Sequence, residues 1–327
     1  MTVKGEIIIH VGYPKTGTTT LQKHFFPFID EIDYLGKFDD EGSMFSFNKN
    51  MINELIFNDQ LLGVDKFLST LPEFKKSLLS EESFLSNTLR VSRINGADVV
   101  ADPHTLIKNL RNTFEKSRCD VKVIITIRRQ DEMLLSLYAQ SYTHYYSGQK
   151  RFNTFDKFLD FFDKEKKGLN LYSSLDYLKM ADLFSDAFGE ENVSILAFEH
   201  LERDPLSFHI KLCNFLQVDP NKYKADYSLQ KENARSSERN GYKRTRNESM
   251  FYYLKRMKRR LIPNLNIQLN KFIGDYLKSV RVPNFWIDRT IKLTKQQRKK
   301  ILASYAESNR AVSMRFDLSL DKSGYYE

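Results

Sequence analysis

The stretch EIIIHVGYPKTGTTTLQKHFF, residues 6–26, is the part of the sequence that decides the predicted fold. Its beginning, Ile7 to Val11, is a short apolar, β-branched run that is typical of a buried strand. From Thr18 onward the pattern predicts a helix that is started by threonine hydroxyls and that ends near Pro27. The segment therefore predicts a strand, a turn and a helix in that order.

The turn of this segment carries two glycines and a lysine. Gly12 and Gly17 have the separation found in the loop of nucleotide triphosphatases, where Lys and then Ser or Thr follow the second glycine at once. Here Thr18 follows Gly17, and the lysine, Lys15, stands inside the turn. A glycine-bearing turn between a strand and a helix gathers backbone N–H groups around an anion. The turn thus predicts a site for a phosphate-like group, with its lysine in an unusual place.

The composition is that of a globular protein. A chain of 327 residues with 41% hydrophobic residues can supply a sizeable core. It has no run of about eighteen uncharged apolar residues, which a spanning helix would need, and no signal-peptide pattern at residues 7–11. We therefore expect a cytoplasmic protein. Cys119 and Cys213 lack metal-ligand spacing and are too few for a disulfide framework, so both are expected to be small buried hydrophobes.

Positive charge is concentrated in the C-terminal third. The net charge is +9, but residues 231–327 hold 23 Lys and Arg against 9 Asp and Glu. The first 230 residues are net acidic, with 28 Lys and Arg against 33 Asp and Glu. Such asymmetry indicates an anionic partner, which could be nucleic acid, an acidic polymer, a membrane surface or a phosphorylated cofactor.

Strand and helix patterns alternate along the first 230 residues. The clearest buried strand is DVKVIITIRR at residues 120–129, followed by a helical pattern at 130–146. Further strands are predicted in KKSLLSEESF, 75–84, and NVSILAFEHL, 192–201. Alternation of this kind implies a parallel sheet covered on both faces. We predict an α/β, P-loop-like three-layer fold in one domain, residues 1–327, with an α/β core at 1–230 and a basic, mainly helical extension at 231–327.

The heptapeptide YPKTGTT, Tyr13 to Thr19, resembles the 5′-phosphosulfate-binding loop of sulfotransferases that use 3′-phosphoadenosine 5′-phosphosulfate (PAPS). The family pattern is Tyr-Pro-Lys-Ser/Thr-Gly-Thr-Thr. The resemblance implies sulfuryl transfer from PAPS, with adenosine 3′,5′-bisphosphate as the product and no metal required. It implies that the donor is bound by Tyr13, Pro14, Lys15, Thr16, Gly17, Thr18 and Thr19. Lys15 would contact the oxygen that bridges phosphate and sulfuryl group and would stabilise the charge on the leaving phosphate.

The same resemblance implies a site for the 3′-phosphate of PAPS. In the family an Arg at the end of a strand and a Ser eight residues later bind that group, and Arg128 and Ser136 have this separation. Arg129 is the competing candidate, although its spacing to Ser136 is one residue short. A third family element, Arg-Lys-Gly, is matched only in part, by Arg239 and Gly241, because Asn240 stands where the family has Lys.

A general base must remove the proton of the attacking hydroxyl. In sulfotransferases of small phenols and steroids this base is a His on the strand before the 3′-phosphate strand, but the corresponding segment, KKSLLSEES, has none. Carboxylate bases occur in carbohydrate sulfotransferases, so Glu82 is the candidate, with Glu81 in reserve. Adjacent glutamates after a strand could instead mark a solvated turn or a helix N-terminus. His10 and His104 are the alternatives, and either could instead be a structural histidine.

The segment 239–261 is strongly basic and has a predicted helix with Met250, Leu254, Met257 and Leu261 on one face. It could pack on the domain with a solvated basic face, follow an acidic glycan, or lie on the inner membrane surface near a glycolipid acceptor. No recognisable nucleic-acid-binding module accompanies the charge.

Together these features predict a bacterial, carbohydrate-sulfotransferase-like enzyme that acts on a hydroxyl or amine of a glycan or glycolipid. The alternatives are a nucleotide or small-molecule kinase, which should have Lys directly after the second glycine, and a nucleic-acid-binding protein that uses its basic C-terminal part.

Overall fold

The computed structural model describes residues 5–36, 54–55, 76–89, 92–94, 97–117, 119–141, 152, 154–163, 173–223, 237–238, 241–243, 250–261, 271–280 and 290–326. The chain divides into two compact units. The first comprises residues 1–130, 165–232 and 302–327, and the second comprises 131–164 and 233–301. The predicted single domain with a division at residue 230 stays a prediction.

A five-stranded parallel sheet forms the centre of the first unit. The described strands are β1 (Gly5–His10), β2 (Asp33–Tyr34), β3 (Lys76–Ser80), β4 (Ser92–Ile94), β5 (Ala97–Val99), β6 (Cys119–Ile127), β7 (Val193–Ala197), β8 (Ser237–Glu238), β9 (Gly241–Lys243) and β10 (Thr290–Ile291). The central order is β2-β3-β1-β6-β7, and every neighbouring pair is parallel. The predicted α/β fold class is therefore confirmed.

Helices of the first unit flank this sheet. The described helices are α1 (Thr18–His24), α2 (Ser83–Thr88), α3 (Pro103–Ser117), α4 (Gln130–Ser141), α5 (Phe155–Asp163), α6 (Tyr177–Phe188), α7 (Phe198–Arg203), α8 (Pro205–Leu216), α9 (Met250–Leu261), α10 (Lys271–Ser279) and α11 (Lys295–Arg315). Helices α3 and α6 contact β6 and each other, while α7 and α8 contact β7. Helices α3 and α6 lie in the connections that lead to β6 and β7, and such crossovers allow these strands to run parallel.

The core uses alternate residues of each strand. Ile8, Leu78, Ile124 and Leu196 belong to one buried cluster with the apolar faces of α1 and α8. On each strand the residues directly before and after these four point to the opposite face, because side chains alternate along a strand. Those residues are buried as well. This burial on both faces explains why the strands read as continuous apolar runs. Of the two cysteines, Cys213 is buried as expected, whereas Cys119 is partly exposed.

The second unit has its own contacts. Arg298 on α11 pairs with Asp131 and with Glu132, the latter at 2.8 Å, at the start of α4. The Tyr138 hydroxyl donates to the Phe152 carbonyl at 2.9 Å. Helices α9 and α10 pack together, and β8, β9 and β10 form a small antiparallel sheet.

Candidate active site

The glycine-bearing loop begins as an extension of the central sheet. Beyond the end of β1, the Val11 N–H donates to the Ile124 carbonyl at 2.9 Å, and the Tyr13 N–H donates to the Thr126 carbonyl at 3.0 Å. The start of the loop is therefore fixed against β6, so the turn that follows leaves the sheet at the carboxyl ends of parallel strands. Ligands of open α/β sheets bind at this edge.

Two loop residues have left-handed backbone conformations. Lys15 has a φ of 69° and Gly17 a φ of 79°. A left-handed residue in a tight turn helps to direct successive N–H groups into one anion-binding concavity. The other glycine is required for close packing, because a Cβ at Gly12 would lie 2.3 Å from the Thr18 Cγ2 and 2.5 Å from the Thr126 Oγ1. The loop is thus shaped as a backbone cradle, which fits the phosphosulfate group that the sequence motif implies.

Several loop side chains make contacts within the protein. The Thr16 hydroxyl donates to the Tyr13 carbonyl at 2.6 Å and lies 2.7 Å from the Thr126 hydroxyl. The Tyr13 hydroxyl donates to the Ser174 carbonyl at 2.6 Å. Pro14 is buried, and Thr19 is partly exposed in the first turn of α1. For Tyr13 and Thr16 the structure therefore shows loop-supporting side chains, and the predicted contribution of the seven loop residues to donor binding stays a prediction.

The two glutamates after β3 have different surroundings. Glu82 is partly buried, and its Oε2 accepts a hydrogen bond from the Thr18 hydroxyl at 2.8 Å. Glu81 is only 2% exposed, and its Oε1 accepts from the Ser83 N–H at 2.8 Å. Glu81 is therefore a buried acceptor for a backbone N–H at the start of α2, which agrees with a helix N-terminus and not with a solvated turn. Glu82 contacts Thr18 of the loop.

A buried polar cluster lies beneath the loop. His10 Nδ1 is 2.7 Å from the Ser80 hydroxyl, and its Nε2 is 3.2 Å from the Thr126 hydroxyl. Gln22 donates to the Ser80 hydroxyl at 3.0 Å. Burial lowers the pKa of His10 to about 3. His10 is therefore a neutral structural histidine that joins the ends of β1, β3 and β6, and His104 is exposed at the start of α3.

The buried His10 predicts a pH dependence of stability. In the unfolded chain this imidazole titrates near pH 6.5, so the unfolded state binds one more proton between about pH 6.5 and pH 3. Stability should fall as the pH falls through this window, by about 2 kcal/mol from pH 7 to pH 5. Urea unfolding at the two pH values measures the effect. His10→Gln should remove that part of the pH dependence, and an unchanged dependence in the variant would contradict the assignment.

Arg128 lies beside the loop at the junction of β6 and α4, as the sequence predicted. Its Nη1 donates to the Lys15 carbonyl at 3.0 Å, and its guanidinium lies 4.8 Å from the centre of the Phe198 ring. The competing Arg129 is directed elsewhere, since its side chain donates to the Ser323 carbonyl at 3.4 Å. The geometry therefore favours Arg128 as the arginine of the donor site, and its contact with the 3′-phosphate stays a prediction.

The remaining predicted donor contacts lie elsewhere in the chain. Ser136 is 2% exposed on α4, within the second unit. Gly241 begins β9, also in that unit, and Arg239 lies outside the described residues. The roles of these three residues in donor binding stay predictions.

Two buried tyrosines connect the loop to Arg128, and the sequence motifs gave no sign of this. The rings of Tyr13 and Tyr177 meet edge to face, with centroids 5.2 Å apart. The Tyr177 hydroxyl donates to the Arg128 carbonyl. Burial raises the pKa of both phenols well above the ordinary value, so both hydroxyls remain donors at physiological pH. No local pattern could have revealed this role of Tyr177, because Arg128 lies 49 positions away in the chain.

The part of the chain that the structure describes has neither a cluster of metal-binding side chains nor a membrane-spanning helix. There, no three His, Cys, Asp or Glu side chains lie together in a way that could hold a metal ion. No helix in the same residues is both long and apolar enough to cross a membrane. The predicted independence of metal stays a prediction.

The sequence model of the sulfotransferase domain family matches residues 6–273, which cover the glycine loop, the sheet and the first part of the basic extension. The chain therefore belongs to the sulfotransferase domain family and is a PAPS-dependent sulfotransferase. This confirms the predicted class of enzyme and its sulfuryl donor, and it does not support a kinase. No curated protein is similar enough to the chain to count as a match.

Several solved structures are similar to the chain. A sulfotransferase from Alicyclobacillus acidocaldarius shares 15% identity and a TM-score of 0.46, covering 71% of this chain and 88% of that one. Mouse sulfotransferase SULT7A1 in complex with PAP shares 18% identity and a TM-score of 0.36, covering 65% and 59%. The sulfotransferase domain from the curacin biosynthetic pathway shares 13% identity and a TM-score of 0.32, covering 96% and 98%.

Proposed function

We propose that this sulfotransferase acts on a hydroxyl of a glycan or glycolipid, with Lys15, Arg128 and Glu82 as its main functional side chains. Both Arg128 and Glu82 contact the short loop that contains Lys15. This observation supports the assignment of the three residues. Arg128 donates to the Lys15 carbonyl, and Glu82 accepts from Thr18. Three groups that are far apart in the sequence thus meet at the phosphate cradle.

Each group has a separate chemical role. The bound donor supplies a sulfuryl group attached to a phosphate that leaves in an in-line displacement. Lys15 and the loop N–H groups stabilise the negative charge that grows on this phosphate. Glu82 takes the proton of the attacking hydroxyl, since its carboxylate lies beside the loop, in contact with Thr18. Arg128 binds the phosphate that distinguishes PAPS from adenosine 5′-phosphosulfate, because a guanidinium matches the oxygens of a phosphate.

Arg128→Ala should weaken donor binding more than it slows sulfuryl transfer within the bound complex. A hydrogen bond to a charged group contributes about 1.5–3 kcal/mol, which corresponds to about tenfold to 150-fold in affinity. The loss should appear for PAPS and adenosine 3′,5′-bisphosphate and should be small for adenosine 5′-phosphosulfate, measured by calorimetry with EDTA present.

Two further variants sharpen this measurement. Arg111→Ala is the matched control, since Arg111 is exposed on α3 and pairs with Glu115. Arg129→Ala tests the competing assignment. An equal loss of affinity for all three nucleotides in Arg128→Ala would count against a 3′-phosphate contact.

The basic C-terminal part supports an acidic or membrane-bound acceptor. Helix α9 carries five Lys and Arg and no acidic residue. On α9 and α10, Leu254, Ile273 and Tyr276 are 43%, 48% and 64% exposed. Apolar side chains among positive charges favour binding to an anionic lipid surface. We therefore place the enzyme in the cytoplasm, at the inner face of the membrane, as part of the proposal.

A screen of acceptors tests the proposal. Labelled PAPS is offered with neutral glycans, acidic glycans, phenols, and one glycolipid in neutral or anionic vesicles. Faster transfer to the glycolipid in anionic vesicles supports the lipid-linked acceptor, and faster transfer to a soluble acidic glycan supports a glycan acceptor at the basic surface. Transfer to phenols alone would overturn the carbohydrate assignment.

A further inference from the structure

The segment that follows α11 is tied to the strand end that carries Arg128. This C-terminal segment, residues 318–326, is fixed to α11 by bonds from the Leu318 N–H to the Ser313 carbonyl at 2.9 Å and from the Leu320 N–H to the Ser313 hydroxyl at 3.0 Å. Tyr325, near its end, is fully buried. The segment is therefore an ordered part of the first unit.

Tyr325 reaches the backbone beside Arg128 through one carboxylate. Its hydroxyl donates to Glu199 Oε2 at 2.7 Å, and Glu199 Oε1 accepts from the Arg129 N–H at 3.0 Å. Glu199 is 8% exposed, so its two oxygens depend on protein donors rather than on bulk water. Burial and the nearby charge of Glu199 raise the pKa of Tyr325 well above the ordinary value, which keeps its hydroxyl a donor.

A second set of hydrogen bonds joins the C-terminal segment to the residues that follow Arg128. Gln130 and Asn309 exchange amide hydrogen bonds at 2.9 and 3.1 Å, and Asn309 Nδ2 also donates to the Tyr325 carbonyl at 3.2 Å. The Arg129 side chain reaches the Ser323 carbonyl. Both residues that follow Arg128 are therefore connected to the C-terminal segment, and this network is buried, where unmet hydrogen bonds are costly.

We infer that Tyr325 is a positioning residue for the 3′-phosphate of the donor, acting through Glu199 on the backbone that carries Arg128. The guanidinium of Arg128 lies on the ring of Phe198, which precedes Glu199 on α7. A displaced Glu199 would thus disturb both the backbone of Arg129 and the ring that supports Arg128. The inference rests on the proposed contact of Arg128 with the 3′-phosphate.

Tyr325→Phe tests the inference, because it removes one hydroxyl and keeps the ring. The readout is the ratio of affinities for adenosine 3′,5′-bisphosphate and adenosine 5′-phosphate, measured by calorimetry on the full chain. We expect this ratio to fall about tenfold, the loss that an unmet buried hydrogen bond can cause. Affinity for adenosine 5′-phosphate should change less than about twofold, since the cradle is intact. Tyr326→Phe is the matched control, as Tyr326 is partly exposed and its ring faces Arg310.

The outcomes separate this inference from the proposed function. If Arg128→Ala lowers the ratio and Tyr325→Phe does not, Tyr325 is only structural and the inference is overturned. If Arg128→Ala leaves the ratio unchanged, the proposed role of Arg128 fails, and the inference fails with it. If Tyr325→Phe lowers the ratio in the wild type but not in Arg128→Ala, the coupling is established. Should Tyr325→Phe not fold, Glu199→Gln provides the same comparison and should also lower the ratio.

Discussion

Replacement of Lys15 by alanine is expected to lower the turnover number about 100-fold to 1000-fold, the usual effect of removing one electrostatic donor from a transition state. Affinity for PAPS should fall much less. The charge on the leaving phosphate grows as the S–O bond breaks, so an ammonium beside it contributes more in the transition state than in the ground state. Single-turnover transfer and equilibrium binding of adenosine 3′,5′-bisphosphate measure the two effects separately.

The control for this measurement is Lys23→Ala, which removes a lysine from the last turn of α1 and leaves the loop intact. It should transfer at nearly the wild-type rate. If Lys15→Ala retained normal turnover, Lys15 would have no part in the chemical step. A loss of affinity as large as the loss of turnover would instead assign Lys15 to ground-state binding.

Glu82→Gln is expected to lose about 100-fold or more of its transfer rate, within the range that general base catalysis supplies. The variant should fold and should bind donor normally. A glutamine has nearly the same shape, and its amide oxygen can still accept the hydrogen bond from Thr18. What it lacks is a carboxylate that can take the proton of the acceptor. Rates with saturating donor and acceptor, together with thermal unfolding, distinguish lost chemistry from lost structure.

Two other glutamates make this experiment specific. Glu115→Gln removes an exposed carboxylate on α3 and should be neutral for transfer. Glu81→Gln is the direct comparison, and its buried acceptor contact with the Ser83 N–H predicts a change in stability rather than in the chemical step. Wild-type transfer by both Glu82→Gln and Glu81→Gln, with inactive His104→Asn, would falsify the carboxylate assignment.

Local patterns were sufficient to predict the strand, the loop and the fold class. The apolar run before Gly12 and the heptapeptide after it are contiguous in the sequence, and apolar runs located β3, β6 and β7. The arrangement of β1 between β3 and β6 was not predictable in the same way, because strand order depends on packing between distant segments. The burial of Glu81 also depends on tertiary packing, so the sequence alone could not decide between a solvated turn and a buried helix N-terminus.

The supporting contacts of the site were beyond local patterns. Glu82 meets Thr18 across 64 positions, and Arg128 meets the loop across 113. Glu199 and Tyr325 are separated by 126 positions, so the contact between them cannot be read from either segment alone. Sequence motifs thus predicted residues with a direct chemical role, whereas the residues that contact them became visible only in the folded chain.

At residue 15 the left-handed backbone conformation favours glycine for stability, whereas the proposed role in catalysis requires lysine. A side chain in this conformation costs about 1–2 kcal/mol, and glycine would avoid that cost. The bond from Arg128 to the Lys15 carbonyl helps to offset it. Selection for thermal stability alone should therefore enrich glycine at residue 15 and yield a protein that is more stable but inactive. Engineering of a more robust enzyme would have to exclude this position and seek its gains elsewhere in the fold.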